Sequence, residues 1–325
     1  METTKRFSLR KFAKMDSLAI LIALLLEVII FGTTSPYFFT TGNLLTILQY
    51  CSLTGLVALP MTLLMISGNF DMSLGSQVAF TSCITGMICR GSTTGWDMIF
   101  LAILASVAIG AVCGYLNSFF ILTVGLPPFI ATMAMMQAVR GVAYLLTNGS
   151  SIMLMSPTFG ILGRGKTLGI PNTVYIFLVF IIIFAFIAKY TVFGRRAYTI
   201  GGNDVAARLS GIDVHKTATV LYIITGAMAG LVGTLTASQL GAALPSSHTD
   251  FAFDVISAVV LGGVAMNGGK GTIGGTIMGV LILAILDNGL IMLNVSSHWQ
   301  LVCSGLVLLA AVSFDALKQK RDNRA

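Results

Sequence analysis

About ten times along this chain, an apolar stretch runs for close to the length a helix needs to cross a bilayer core, roughly 20 residues. The purest stretch is "IFLVFIIIFAFIA", Ile176 to Ala188. Lipid offers no partner to backbone N–H and C=O groups, so such segments must satisfy their hydrogen bonds internally, as helices. The rest of the inventory agrees, since only 10% of residues are charged against about 25% in a soluble domain. The expected fold is therefore an all-α, polytopic membrane bundle. Its spans are expected near 16–33, 44–66, 73–90, 97–117, 128–147, 173–190, 217–240, 251–267, 271–294 and 298–317. Residues 1–15 and 318–325 are then short tails flanking one transmembrane domain, 16–317.

The net charge of +7 is distributed as membrane topology, not as a nucleic-acid surface. With the N-terminus in the cytoplasm, fifteen of the nineteen Lys and Arg fall on the cytoplasmic side. They lie in the first tail, the loop after the sixth span, Lys270 and the last tail. Arg90, Arg164 and Lys166 fall outside, and Arg140 lies within a span. Such a bias satisfies the positive-inside rule and favours an even number of crossings, with both tails cytoplasmic. Leu18 to Phe31 follows a basic segment as a signal peptide would, but "GTTSPYFF" offers no small-residue cleavage site, so it reads as a first span. The five cysteines lie in or beside apolar runs without a C-x-x-C pair, which gives neither a disulfide framework nor a metal set.

Two segments imitate nucleotide sites. "GILGRGKT", Gly160 to Thr167, fits the P-loop pattern, and "GKGTIG", Gly269 to Gly274, fits the dinucleotide pattern. Both patterns carry meaning only between a buried strand and a helix. The first falls on the outer side and is followed by Pro171; the second is flanked by spans and reads as a glycine turn. No hydrolase or metalloprotease motif is present.

Glycines spaced by four (Gly110 and Gly114; Gly226 and Gly230; Gly271, Gly275 and Gly279) allow close helix approach in lipid. They suit a tightly packed bundle or helices that slide during transport. "SGNFDMSLGS", Ser67 to Ser76, interrupts two apolar stretches with Asn69, Phe70 and Asp71. It is either a helix–turn–helix capped by Asp71 or a broken element lining a pathway. Ionisable groups at membrane depth face the interior or a polar partner; Glu27, Arg140 and Asp287 are such groups, and a Glu27–Arg140 pair is one option. Asn117, Gln137, Asn148 and Asn288 add amides and Phe129 adds a ring, able to contact a passing solute or to bond neighbouring helices.

The loop after the sixth span, 193–216, contains "GGNDVAARLSGI". Asn203 is a good N-cap with Asp204 at the positive helix start. Val205, Leu209 and Ile212 share one helical face, and Gly211 suits the C-terminal end. A helix of two turns needs a surface to lie on, either the membrane interface or a groove in a partner.

In "SPYFFTTGNLLTIL", "SGNFDMSLGS", "PPFIATMAMMQAVRGVAYLLTNGS", "GRRAYTIGGNDVAARLSGI", "FDVISAVVLGGVAMNGGKGTIGGT" and "LDNGLIMLNVSSHWQ", the chain resembles the membrane-spanning permease of ribose-type bacterial ABC importers. That superfamily includes branched-chain amino-acid permeases. The resemblance implies an inner-membrane subunit, in a pair with itself or a related chain, that moves a sugar or sugar-like solute delivered by a periplasmic binding protein. It implies that Gly202, Asn203, Asp204, Ala207, Arg208, Leu209, Gly211 and Ile212 form the coupling helix. That helix docks on a separate cytoplasmic subunit which binds ATP and magnesium, so this chain holds no cofactor. Two departures, Asn69–Phe70 and Met266–Asn267, fall near the expected gate. Nucleosides as cargo, or an ion-coupled carrier using Glu27 and Asp287, are the competing readings.

Overall fold

The computed structural model describes residues 20–91 and 94–322. Among them, thirteen α-helices follow one another: α1 (Ile20–Thr34), α2 (Thr41–Ile66), α3 (Leu74–Ile88), α4 (Trp96–Ser118), α5 (Pro128–Thr147), α6 (Pro157–Gly163), α7 (Asn172–Tyr190), α8 (Val192–Gly202), α9 (Asp204–Leu209), α10 (Val214–Leu240), α11 (Phe251–Leu261), α12 (Ile273–Met292) and α13 (Ser297–Asp322). A π-helical turn, Phe119–Thr123, extends α4. Two-residue strands form two small antiparallel pairs: β1 (Ile152–Met153) with β4 (Ala242–Ala243), and β2 (Lys166–Thr167) with β3 (Ile170–Pro171).

Among the described residues, six helices are long and apolar enough to cross a membrane: α2, α4 with its π-turn, α5, α7, α10 and α12. α1, α3, α11 and the part of α13 up to Ala310 are shorter apolar helices. The spans expected at 73–90 and 251–267 are thus shorter as helices than anticipated. α3 cannot start before the irregular Asn69–Met72 segment, and α11 stops at Gly262, beyond which Gly263 turns with φ +84°.

The bundle is organised around α2 and α10. From Cys51 to Ile66, α2 is buried on every side, as befits a helix apolar all round. It packs against α7, α10, α11 and α12. α10 begins at the Asp213 cap, ends at left-handed Gly241 (φ +67°) and packs on α2, α3 and α4. The α4–α10 crossing explains the four-spaced glycines there. A Cβ on Gly110 would strike the Gly226 carbonyl and one on Gly226 the Gly110 carbonyl; Gly114 and Gly230 stand likewise against Tyr222 and Ser106. Beside this seam, Thr85 Oγ1 lies 2.8 Å from Ser106 Oγ and 2.9 Å from Thr234 Oγ1, a hydrogen-bonded tie between three helices.

α2 and α10 also separate the two ends of the molecule. At one end, Gln49 Nε2 donates to Gly163 O (2.7 Å) and Gly163 N to Ser238 Oγ (2.8 Å), which fixes α6. At the other end lie Ile66, α8 and α9. "GILGRGKT" therefore comprises the end of α6 followed by β2, with Lys166 and Thr167 in a strand and not at a helix start. "GKGTIG" is the turn into α12, where Thr272 Oγ1 accepts from Gly275 N at 3.0 Å. Neither has the strand–loop–helix order that would cradle a phosphate.

Candidate functional site

The segment 193–216 holds two helices, where one short helix in a loop is expected from sequence. Thr191 caps α8 by accepting from Gly194 N at 3.1 Å, and α8 runs to Gly202 despite its two terminal glycines. Asn203 then takes an extended conformation (φ −167°, ψ 108°), and its Oδ1 accepts from Ala206 N at 2.9 Å, starting α9. The C-cap is Ser210, while Gly211 (φ +78°) lies one residue beyond and makes the left-handed turn. Ala207 is fully buried against Ile200 and Val214, with Ile212 packed beside them. Of the three residues expected on one face, Ile212 packs on the chain itself, while Val205 and Leu209 are 60% and 86% exposed. Asp204 and Arg208 stand beside them, 3.8 Å apart and largely exposed, so that pair adds little stability. The outer surface of α9 is thus two bare aliphatic side chains rimmed by charge.

At the base of the bundle, the chain between α2 and α3 folds inward. Asp71 is fully buried. Its Oδ1 accepts from Ser73 N (2.7 Å) and Ser73 Oγ (2.5 Å), and its Oδ2 from Gln77 Nε2 (3.2 Å) and Asn117 Nδ2 (2.9 Å). Asp71 and Asn117 therefore form one internal network. Next to it, Tyr222, itself buried, donates to Phe70 O (3.2 Å) and Asn69 Oδ1 (3.4 Å). The rings of Phe70 and Phe129 lie 6.5 Å apart at 53°, which places α5 over the break. Gln137 and Asn148 lie apart from this group on exposed positions of α5, with Asn148 ending that helix at φ +49°.

A second polar region opens between α2, α11, α12 and α13. It is a cavity of about 730 Å³ lined by Tyr50, Asp254, Asp287, Gln300 and Ser304, among others, with no Lys or Arg among the described lining residues. Ser304 Oγ donates to Asp254 Oδ1 at 3.4 Å. Asn288 points elsewhere, donating to Asn43 Oδ1 at 2.9 Å. Sequence reasoning found Asp287 but missed Tyr50, Asp254, Gln300 and Ser304. Of these, Asp254, a carboxylate opening the apolar run "VISAVVL", carried a usable signal. Glu27 and Arg140 are not paired. Glu27 lies near Asp287, whereas Arg140 donates to Pro245 O (2.7 Å), Ser247 O (2.6 Å) and His248 O (3.3 Å). A guanidinium fork suits several converging carbonyls, and two of those residues, Ser247 and His248, edge the cavity.

The model of the branched-chain amino acid transport system permease component family matches residues 43–312. The chain belongs to that family. It is accordingly a multi-pass permease of the inner membrane. It is 38% identical over 303 residues to the ribose import permease protein of Escherichia coli, covering 92% of this chain and 93% of that one. It is 39% identical over 308 residues to the ribose import permease protein of Bacillus subtilis, with 94% of each covered. The L-arabinose transport system permease protein of Escherichia coli is 34% identical over 285 residues, covering 88% of this chain and 86% of that one. No solved structure matches the chain.

Proposed function

We propose that this permease is the membrane subunit of an ABC importer that brings a sugar or sugar-like solute into the cell. A separate cytoplasmic subunit, carrying ATP and magnesium, docks on α9 and drives it. The observation that carries this reading is the exposed pair Val205 and Leu209 on a short, well-capped helix. Burying both would contribute about 3–6 kcal/mol to a docked state, enough for a small amphipathic helix to serve as a plug. The names of the ribose and arabinose permeases it resembles support the solute class. The chemistry of the cavity agrees, because carboxylates, amide and hydroxyls accept and donate hydrogen bonds to a polyol, and Tyr50 offers a ring face. In this reading the chain crosses the membrane ten times with both tails inside, residues 16–317 forming one permease domain. Two permease chains flank the route, a periplasmic binding protein delivers the solute, and Asn69, Phe70 and Phe129 border the inner gate.

The test is co-purification of the ATP-binding subunit with wild-type permease and with Leu209→Asp, followed by ribose uptake into proteoliposomes. Leu209→Asp is expected to lower the partner's affinity by at least about tenfold and to abolish uptake, with helicity unchanged. Undiminished association sinks the docking assignment. The acids near the cavity (Glu27, Asp254 and Asp287) favour one other reading, an ion-coupled carrier. That reading predicts solute accumulation driven by a proton or sodium gradient with no ATP-binding subunit present.

A further inference from the structure

We infer that Gly201 and Tyr198 of α8 are the positioning residues through which displacement of α9 reaches the bundle, and that Gly201 acts by direct backbone contact. The inference rests on the proposed docking at α9 and names where the force goes next. Gly201 lies two residues before the Asn203 cap, so it moves with the start of α9. A Cβ on Gly201 would strike the Ile66 carbonyl oxygen and lie 2.5 Å from Gly269 N. Those two atoms are themselves bonded, Gly269 N donating to Ile66 O at 2.8 Å. From the opposite side, a Cβ on Gly268 would lie 3.0 Å from Gly201 Cα, and one on Gly269 would lie 3.0 Å from Gly201 O. Three main chains therefore touch with no side chain between them: the last turn of α8, the end of α2 and the turn joining α11 to α12. Gly68, Gly268 and Gly269, at φ +83°, +85° and +77°, hold the two turns in the left-handed shape the contact needs. One turn back, Tyr198 donates its hydroxyl to Gly271 O at 3.0 Å.

Close-packed backbone transmits displacement because it cannot be compressed, whereas a layer of side chains could change rotamer and absorb it. The junction has two outlets. The end of α2 runs directly into Asn69 and Phe70, beside Phe129 and Tyr222. Gly271 leads into Thr272, the cap of α12, which carries Asp287 at its far end. One push at α8 thus addresses both the break below α3 and the helix lining the outer cavity. The segments "SGNFDMSLGS" and "MNGGKGTIGG", which occupy comparable places in the two halves of the sequence, meet here.

The test uses the complete permease with its ATP-binding subunit in nanodiscs. Hydrogen exchange of residues 66–71 is measured without nucleotide and with a non-hydrolysable ATP analogue, alongside ribose imported per ATP hydrolysed in proteoliposomes. In wild type, nucleotide is expected to change exchange in this segment. In Gly201→Ala that change is expected to vanish, and import per ATP to fall about tenfold or more, while the subunit still co-purifies. Tyr198→Phe, which leaves the backbone contact in place, is expected to lose about threefold in import per ATP with an unfolding midpoint lowered only slightly. If both variants respond like wild type, the junction is packing alone and the inference falls. If Gly201→Ala does not assemble, Tyr198→Phe decides by the same criterion. Failure of the wild-type permease to hold the subunit overturns the docking reading itself, an outcome distinct from a docked complex whose residues 66–71 ignore nucleotide.

Discussion

Asp71 shows at the level of one residue how a carboxyl group is accommodated at membrane depth. Its oxygens accept from four donors on Ser73, Gln77 and Asn117, which meets the condition for burying a polar group. Asp71→Ala would leave those donors facing a hole, and is expected to cost on the order of 3 kcal/mol, seen as a lower unfolding midpoint in detergent. Asp71→Asn keeps the volume but turns an NH2 toward two of the four donors, so it is expected to lose part of that stability; losses equal to those of Asp71→Ala would show that hydrogen bonding, not volume, holds the network. The break at Ser67–Ser76 was legible in the sequence, because glycines and a carboxylate interrupt two apolar runs. Which way Asp71 turns was not, because that depends on the backbone angle at Gly68 (φ +83°). Arg140 was illegible for another reason: charge arithmetic suggests Glu27, whereas its partners are the carbonyls of Pro245, Ser247 and His248, a group every residue possesses. Arg140→Lys loses the fork, and faster hydrogen exchange in residues 241–250 is the expected result.

Among the elements, the helices with strong periodicity or long apolar runs could be read directly, and those decided by contact could not. α8 has a polar, glycine-ended sequence and is helical because Ala197 and Ile200 are buried beneath it. The α4–α10 seam could be suspected from its glycine spacing, but that spacing fits sliding and locked helices equally. The reciprocal contact of Gly110 with Gly226, and that of Gly114 with the Tyr222 carbonyl, bring backbone against backbone across the crossing. Gly226→Val would force α4 and α10 apart, and is expected to cost more than about 2 kcal/mol, measured as loss of folded protein on heating in detergent. The start of α10 carries a pH dependence. Asp213 caps it by accepting from Lys216 N at 2.9 Å. That bond, aided by the Lys216 side chain, holds the Asp213 carboxyl below the usual carboxylate range. A depressed value means the cap is intact above the ordinary carboxylate pKa and is lost as pH falls through the folded value. Exchange at Lys216, corrected for its intrinsic rate, is expected to rise below about pH 4.

At the scale of the molecule, geometry and charge bear separately on the same orientation. Gln49 of α2 and Ser238 of α10 bind Gly163 at one end, while Ile66 of α2 meets Gly201 at the other. Between these contacts α2 covers Gln49 to Ile66, about 26 Å, and α10 covers Val214 to Ser238, about 36 Å, at 1.5 Å per residue, a separation comparable to the hydrocarbon core of a bilayer. α6 with its hairpin and α8 with α9 therefore lie on opposite sides of any membrane this bundle spans. Geometry alone leaves open which side is inside; the concentration of Lys and Arg in the tails and in residues 189–216 is what supports the proposed cytoplasmic side for α9 under the positive-inside rule. An impermeant maleimide is accordingly expected to label Lys166→Cys in intact cells and Arg208→Cys only after permeabilisation. Cys51, Cys83, Cys89 and Cys113 are buried, and the half-buried Cys303 is replaced by serine in both variants to keep background labelling low. Labelling of Arg208→Cys from outside would turn the bundle over, place the bare face of Val205 and Leu209 where no ATP-binding subunit could reach it, and direct the search for its partner to the periplasm.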